Sequence, residues 1–373
     1  MIRSIHISKL AQHNIRNLVS ADVQFSPQLN IVCGDNGQGK TSLLEAIALA
    51  STGRSFRTEQ ARDLIRHGAG AAASLIEVNE AGVLRKQRVE LAKGRKLTSV
   101  DESRVPRTQD FAVLTPIVVF HPADLDLIGG PAALRRTLLA RVSLYLEPYH
   151  FESYKAYQLA LRERQRLLVD HGMHAPGLDA FEKVAADHGA IVTQANARAA
   201  QQLIAALAPI LIELAPRSLC VQVSHIANGS ADPGEFSEQL KRSRVRDQAR
   251  GRPLFGPQRD ELQVLLDGAD ARRHASQGQQ RLLALTLKLA ELASIRDVRH
   301  VFPVLLLDDV ASELDSHRTG ALLDWLLNCQ SQVFITTAHW DVAETRINSA
   351  TLCQFLNIRG GVAEQITPSF KRL

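Results

Sequence analysis

Polar and apolar residues alternate at the start of the chain. "SIHIS" and "ADVQF" change face at every step, the two-residue period of half-buried strands. "LNIVC" (29–33) is apolar almost throughout and predicts a buried strand. It runs straight into "GDNGQGKTSLLEAIALA", whose second half switches to helical spacing. Strand-like runs follow at "ASLIEVN", "LRKQRVEL" and "LTPIVVF". From about Asp126 the texture turns helical, with Pro131 suited to a first helical turn. "HGMHAPG" interrupts that pattern, and a second helical run extends from "LDAFEK" to "LIEL". Two long helices joined by a Gly/Pro turn predict an antiparallel hairpin. After Gly256 the α/β texture returns. "DELQVLLDGADARRHAS" reads as a hairpin with an Asp-Gly turn. A long helix, the apolar strand "FPVLLLDD", a helix from about Ser316, the strand "SQVFITTAH" and a strand near "CQFLNIRGGVAEQI" complete the chain.

This order predicts an α/β domain assembled from both ends of the sequence, residues 1–125 and 256–373, with a helical arm at 126–255 inserted between them. Neither an internal repeat nor a low-complexity segment is visible.

Composition narrows the class. A chain with 45% hydrophobic and 22% charged residues belongs with ordinary globular proteins rather than disordered ones. The 44 basic and 39 acidic residues leave +5, compatible with nucleic acid as a partner but weak by itself. Cys33, Cys220, Cys329 and Cys353 are scattered without a CxxC pair, so they read as small buried hydrophobes in a reducing compartment. The amino end lacks the apolar core of a signal peptide. The longest greasy stretch, "LIAALAPILIELA" (203–215), is short for a bilayer and contains a proline. The expectation is a soluble, cytoplasmic protein with no membrane partner.

"GDNGQGKT" (34–41) satisfies G-x-x-x-x-G-K-[ST] at every fixed position. In such a loop Gly34, Asp35, Asn36, Gly37, Gln38 and Gly39 curl so that backbone N–H groups point inward at a helix N-terminus, a concave anion site. Lys40 reaches the β- and γ-phosphates of ATP, Thr41 offers its hydroxyl to Mg²⁺, and Ser42 follows. The bland alternative is a plain glycine turn, but a strand before and a helix after favour the phosphate loop. "VLLLDD" (304–309) adds a buried strand ending in carboxylates. There Asp308 is the expected Mg²⁺ partner and Asp309 the residue that orients or deprotonates the attacking water.

Ser276-Gln277-Gly278-Gln279-Gln280 opens the long helix. Ser276 with Gln279 fits a capping box, the bland reading. A capping box does not call for Gly278 or for a run of polar residues, so a second anion site at this helix N-terminus is the sharper one. Two basic clusters, Arg85, Lys86, Arg88 and Lys241, Arg242, Arg244, Arg246, suit sequence-independent phosphate contacts with DNA, or else are solvated faces.

The polar run at 276–280 resembles the signature of ABC-type ATPases, in which Ser276, Gly278 and Gln279 would reach across a dimer to nucleotide held by the partner. "SELD" (312–315) resembles that class's D-loop, and His339 stands near its switch histidine, although a histidine after a strand is also an ordinary surface residue. The long separation of Lys40 from Ser276 argues against a transporter cassette and the short arm against a long coiled-coil head; a transporter-type ATPase subunit and a structural SMC-like DNA-anchoring ATPase stay as the alternatives. "NIRNL", "GRSFR" (53–57), "FHPADLDLIGGPAALRR" (120–136), "FGPQRDEL" and "SQGQQR…LLLDDVASELD" resemble the RecF family over nearly the whole chain. Gln258 and Glu261 depart from its GPHRDDL motif, and His121 lies where transporters carry a loop glutamine, without an assigned role. The resemblance implies an ABC-type head with an inserted arm, ATP and Mg²⁺, and an ATP-dependent homodimer. It also implies binding to double-stranded and gapped DNA during recombinational repair, and slow hydrolysis as a release timer. RecR, and through it RecO and the RecA recombinase, are the implied partners. A phosphoryl-transferring kinase would leave 276–280 and "SELD" unexplained.

Overall fold

A computed structural model describes residues 2–215, 219–310, 316–338 and 352–366. The chain divides into two compact units. One comprises Met1–Leu125, Ile210–Ala215 and Arg281–Leu373; the other comprises Asp126–Pro209 and Pro216–Gln280.

The first unit opens with β1 (Ile5–Ile15), β2 (Leu18–Gln24), β3 (Leu29–Cys33) and helix α1 (Lys40–Thr52). Strands β4 (Ala71–Glu80), β5 (Val83–Ala92), β6 (Arg95–Val100) and β7 (Ser103–Arg104) follow, then α2 (Thr108–Ala112) and β8 (Ile117–Phe120). The second unit carries α3 (Asp126–Gly129), α4 (Ala132–Leu146), α5 (His150–His171), α6 (Leu178–Leu214) as far as Pro209, β9 (Val221–Ile226), α7 (Pro233–Arg250), β10 (Glu261–Leu266), β11 (Ala269–Asp270) and α8 (Ala271–His274). From α9 (Gln277–Arg299) onward come β12 (Val304–Asp308), α10 (Ser316–Asn328), β13 (Val333–Thr337), β14 (Cys353–Arg359) and β15 (Val362–Ile366).

Two six-stranded sheets build the first unit. One, in the order β2-β1-β4-β5-β6-β7, is antiparallel, which explains the alternation along its strands. The other, β15-β14-β3-β13-β12-β8, is parallel except for its β15 edge. Strands β3, β12 and β13 are buried at every position, and their near-continuous apolar sequences are what two covered faces require. Ile47 and Leu44 of α1, Ile7 and Leu10 of β1, Ile76 of β4 and Leu306 of β12 share one core. Phe25 meets Phe334 edge to face there, with ring centroids 4.8 Å apart.

The second unit departs from the sequence reading in three places. The first helical run breaks at Glu147–Pro148, so two helices, α4 and α5, stand in place of one long helix before α6. Pro148 cannot continue α4, because its ring removes an amide donor and restricts Glu147. A further helix, α7, carries the second basic cluster; its inward residues Phe236, Leu240, Ser243 and Asp247 are buried at helical spacing. Finally, residues 256–280, read from sequence with the ATPase domain, cluster with the arm, because β10 pairs antiparallel with β9. The Asp-Gly turn between β10 and β11 forms as read, with Asp267 and Gly268 both at positive φ.

Helix α6 spans 37 residues and includes the greasy stretch with Pro209, so it is longer than that stretch implied. By length and composition it could cross a bilayer. Its Ala185, Ala186 and Val192 instead pack with Tyr157, Phe236 and Leu240 of the arm. Cys33 is buried but Cys220 is exposed, against the reading of all four cysteines as buried.

Candidate nucleotide-binding site

Strand β3 delivers the glycine loop, and α1 starts at Lys40 immediately after it. Only glycine fits at two positions. A Cβ on Gly34, at φ +145°, would stand 2.4 Å from the Ile358 carbonyl oxygen; on Gly39, at φ +120°, it would stand 2.7 Å from Leu18 Cδ2. Gly39 caps α1 without a side-chain hydrogen bond, and no acidic residue occupies the first turn. The positive end of the helix dipole is therefore left for an anion. Lys40 is buried, and its Nζ donates to the carbonyls of Gly34 at 2.5 Å and Asp35 at 3.1 Å, within the loop itself. The Gln38 side chain accepts from Gly360 N at 2.7 Å, while Asp35, Asn36 and Gly37 are exposed.

The sheet order brings the acidic strand to the same place. β13 lies between β3 and β12, with Thr337 opposite Cys33 and Thr336 opposite Asp308. The parallel strands thus end together beside the loop. Thr41 Oγ1 stands 3.0 and 2.9 Å from the two Asp308 carboxylate oxygens. Thr336 Oγ1 donates to Asp308 at 2.7 Å and accepts from the Asp309 amide at 2.9 Å. One buried hydroxyl therefore fixes both acidic residues. Asp309 adopts φ +52°, a left-handed conformation that Asp tolerates and that turns the chain out of the strand after Asp308. A hydroxyl and a carboxylate at one loop-and-helix junction are a fitting oxygen set for a hard divalent cation on phosphate. Thr41 and Asp308 are thus the residues that would hold Mg²⁺.

His121 follows β8 directly. Phe120 pairs with Leu307, so His121 sits at the level of Asp308 on the neighbouring strand. Its ring stacks on Phe56, centroids 5.3 Å apart, and its Nε2 is 3.5 Å from Asp124.

In the second unit, the capping box at 276–280 forms. Ser276 N donates to Gln279 Oε1 at 2.8 Å, and Gln279 N donates back to Ser276 Oγ at 3.3 Å. Ser276 and Gln277 remain exposed, and Gly278 is half-buried. Gln258 accepts from the Tyr157 hydroxyl and donates to the Phe255 carbonyl at 2.7 Å. Glu261 accepts from Arg135 Nε at 2.7 Å. These two departures from the motif are thus packed into the arm. The residues 312–315 and His339 lie outside the described residues.

The basic clusters separate into solvent-exposed and half-buried residues. Strand parity turns Arg85 inward, where its guanidinium binds Glu80, the Leu114 carbonyl and Thr115. Lys86 and Arg88 point the other way, exposed, with Glu77 at 3.7 Å and Glu90 at 2.5 Å. On α7, Arg244 binds Glu182 and Asp179, and its hydrogen bonds to Glu182 raise its already high pKa. Arg85 and Arg244 therefore leave the candidate set for DNA, since several partners engage each of them in half-buried positions, whereas the other pairs are exposed to solvent. Arg242 shares a solvent-exposed pair with Glu238, and Lys241 and Arg246 are exposed.

Sequence reasoning missed Thr336, whose only signal is its place in "VFITTA", and the pair Arg16–Glu45. Glu45 of α1 is fully buried and is gripped by Arg16 Nε and Nη2 at 2.8 and 2.9 Å. Those hydrogen bonds raise the Arg16 pKa.

Residues 6–354 match the model of the RecF/RecN/SMC N-terminal domain. The DNA replication and repair protein RecF of Acaryochloris marina is 34% identical over 96% of this chain and 98% of its own length. The RecF of Thermosynechococcus vestitus is 36% identical over 91% and 90%. The chain belongs to the RecF family. Its fold agrees with a solved structure of the recombination mediator RecF with ATP in the RecFOR pathway, at a TM-score of 0.87. That match is 26% identical and covers 98% of this chain and 99% of the other. The Smc head of Pyrococcus furiosus, at TM-score 0.57 and 17% identity, shares the head fold. An α/β ATPase head with an inserted helical arm is therefore the architecture of this RecF-family chain.

Proposed function

We propose that this RecF-family ATPase is a DNA-binding switch of recombinational repair, closed by ATP and opened by hydrolysis. The observation that carries the reading is the junction of Lys40, Thr41, Asp308 and Thr336 at the mouth of the parallel sheet. The loop amides of 34–39 and Lys40 hold the phosphates; Thr41 with Asp308 would hold Mg²⁺, which would supply positive charge against the phosphate oxygens. Asp309 orients the attacking water. Ser276, Gly278 and Gln279 bind the nucleotide of a second protomer, His339 senses its γ-phosphate, and the homodimer forms only with ATP. The capping box does not oppose this, since it leaves Ser276 exposed.

A size measurement tests the trans assignment. Ser276→Arg should keep ATP affinity yet remain monomeric with ATP and Mg²⁺, whereas Asp309→Asn should accumulate as the ATP-bound dimer. An undiminished dimer in Ser276→Arg would remove the trans role.

DNA binding is assigned to Lys86 and Arg88 on β5 and to Lys241, Arg242 and Arg246 on α7. Their contacts are to phosphate and carry no sequence preference. RecR is assigned as the direct protein partner, with RecO and RecA reached through it in the cytoplasm; the solved RecF structures' place in the RecFOR pathway supports RecO and RecR as partners. The deciding experiment is fluorescence anisotropy on a gapped duplex, with and without ATP and Mg²⁺, across a salt series. The switch requires binding that depends on ATP and weakens steeply with salt. Affinity indifferent to ATP would mean that nucleotide governs something other than DNA.

A further inference from the structure

We infer that Asn17 is the positioning residue that sets the phosphate loop for nucleotide, a role that rests on the loop's being a nucleotide site. Asn17 belongs to "NIRNL", an amino-terminal motif that the ATPase chemistry leaves without a task. Arg16 and Asn17 are the two-residue turn between β1 and β2, since Ile15 pairs with Leu18. The turn is held from three sides. Arg16 forks onto buried Glu45 of α1, its Nη1 donates to the Asp63 carbonyl at 2.7 Å, and its backbone N donates to the Leu64 carbonyl at 2.8 Å. That anchoring sustains a left-handed φ of +55° at Arg16, a conformation costly for a residue with a long side chain.

From this fixed turn the Asn17 side chain spans the loop. Its Nδ2 donates to the Gly37 carbonyl at 2.8 Å, and its Oδ1 accepts from Ser42 Oγ at 2.7 Å. It therefore ties the loop's exposed apex to the first turn of α1. A Cβ at Gly39 would come within 3.3 Å of the same Oδ1, so loop and amide are packed as one piece.

The consequence follows from peptide geometry. In a trans peptide the C=O of one residue and the N–H of the next point in opposite directions. Holding the Gly37 oxygen toward Asn17 aims the Gln38 N–H the other way. On that side Gln38 N approaches the Asp35 carbonyl at 3.4 Å, the oxygen that also receives Lys40 Nζ at 3.1 Å. Two donors that would bind phosphate thus converge on one point, and Asn17 fixes the direction of the first. Gly37 itself sits at φ +80° with open space where a Cβ would stand, so side-chain packing does not hold that peptide; its restraints are Asn17 on the oxygen side and the long 3.4 Å contact to Asp35 on the N–H side. Asparagine suits the position because one side chain must donate to the carbonyl and accept from the hydroxyl at once.

The test compares Asn17→Ala and Asn17→Asp with the parent and with Lys40→Ala, by titration with ATP and with ADP. Asn17→Asp keeps an acceptor for Ser42 but places a carboxylate against the Gly37 oxygen. Both Asn17 variants should lose about tenfold in affinity for each nucleotide, the worth of one well-placed hydrogen bond. In turnover the KM for ATP should rise while kcat at saturating ATP stays at the parent value, since Asn17 touches no reacting atom. The melting temperature of the nucleotide-free chain should be unchanged. Parent affinity in a folded Asn17→Asp overturns the proposal, as does a loss of melting temperature in both variants, which would make Asn17 a purely structural residue. Parent affinity in Lys40→Ala would instead sink the nucleotide-site reading beneath it.

Discussion

Lys40→Ala should bind ATP at least about 100-fold more weakly than the parent, because a cationic donor to phosphate is worth about 3 kcal/mol where water is excluded. The site has that character, since Lys40 lies buried at the base of α1. Its ammonium already donates to the Gly34 and Asp35 carbonyls. Two losses therefore coincide in the variant. The phosphate loses the loop's only positive charge, and the first half of the loop loses the tie that folds it over the helix end. Removal of the cation also leaves the carboxylates at 308 and 309 as the dominant local charge, which repels nucleotide that arrives without metal. Titration calorimetry with ATP and Mg²⁺ measures the effect, and DNA binding that requires ATP should vanish with it. Parent-like affinity would remove the phosphate-loop assignment and with it the switch.

The parts of the site that were legible in the sequence are those whose chemistry imposes a fixed local spacing. The glycines, Lys40 and Thr41 must follow one another in a single turn, and Asp308 must end a buried strand; both constraints are written within a few residues. Thr336 was not legible, because it acts by lying opposite Asp308 in the sheet, a register that no local pattern encodes. Asn17 reaches a loop twenty residues on, for the same reason. The basic clusters fail differently. Arg85 and Lys86 are adjacent in sequence but belong to opposite faces of β5, so strand parity alone could have separated them. Arg244 could not be separated from Arg242 without the partner helix that brings Glu182 to it. The end of the arm was misplaced because β10 takes its hydrogen bonds from β9, which lies on the far side of the basic helix in the sequence. Helix α7 itself was obscured by charge: its buried face is two apolar residues, a serine and an aspartate, too polar a stripe to read as amphipathic.

That aspartate belongs to the network with the largest expected effect on stability. Arg164 of α5 is fully buried, and its guanidinium donates to Glu182 of α6 at 3.0 Å, to Asp247 of α7 at 2.7 Å, to the Leu240 carbonyl at 2.6 Å and to Ser243 at 3.2 Å. Glu182 and Asp247 are themselves fully buried. One cation therefore holds three helices of the arm through two carboxylates that water does not reach. Arg164→Met fills much of the space but strands those carboxylates, and breaking a buried pair from one side costs about 3–5 kcal/mol. Arg244 still serves Glu182, and Leu254 N and Ser243 still serve Asp247, which places the loss toward the lower end of that range. Adding Glu182→Gln and Asp247→Asn should recover most of it, because neutral amides need no countercharge. The chain supplies its own reporters. All four tyrosines lie between Tyr145 and Tyr157, in the arm, and both tryptophans, Trp325 and Trp340, lie in the carboxyl-terminal part of the chain. In urea the tyrosine transition of Arg164→Met should move to lower denaturant while the tryptophan transition moves less. An unmoved tyrosine midpoint would mean that the arm holds its three helices without this cation, by its apolar contacts alone.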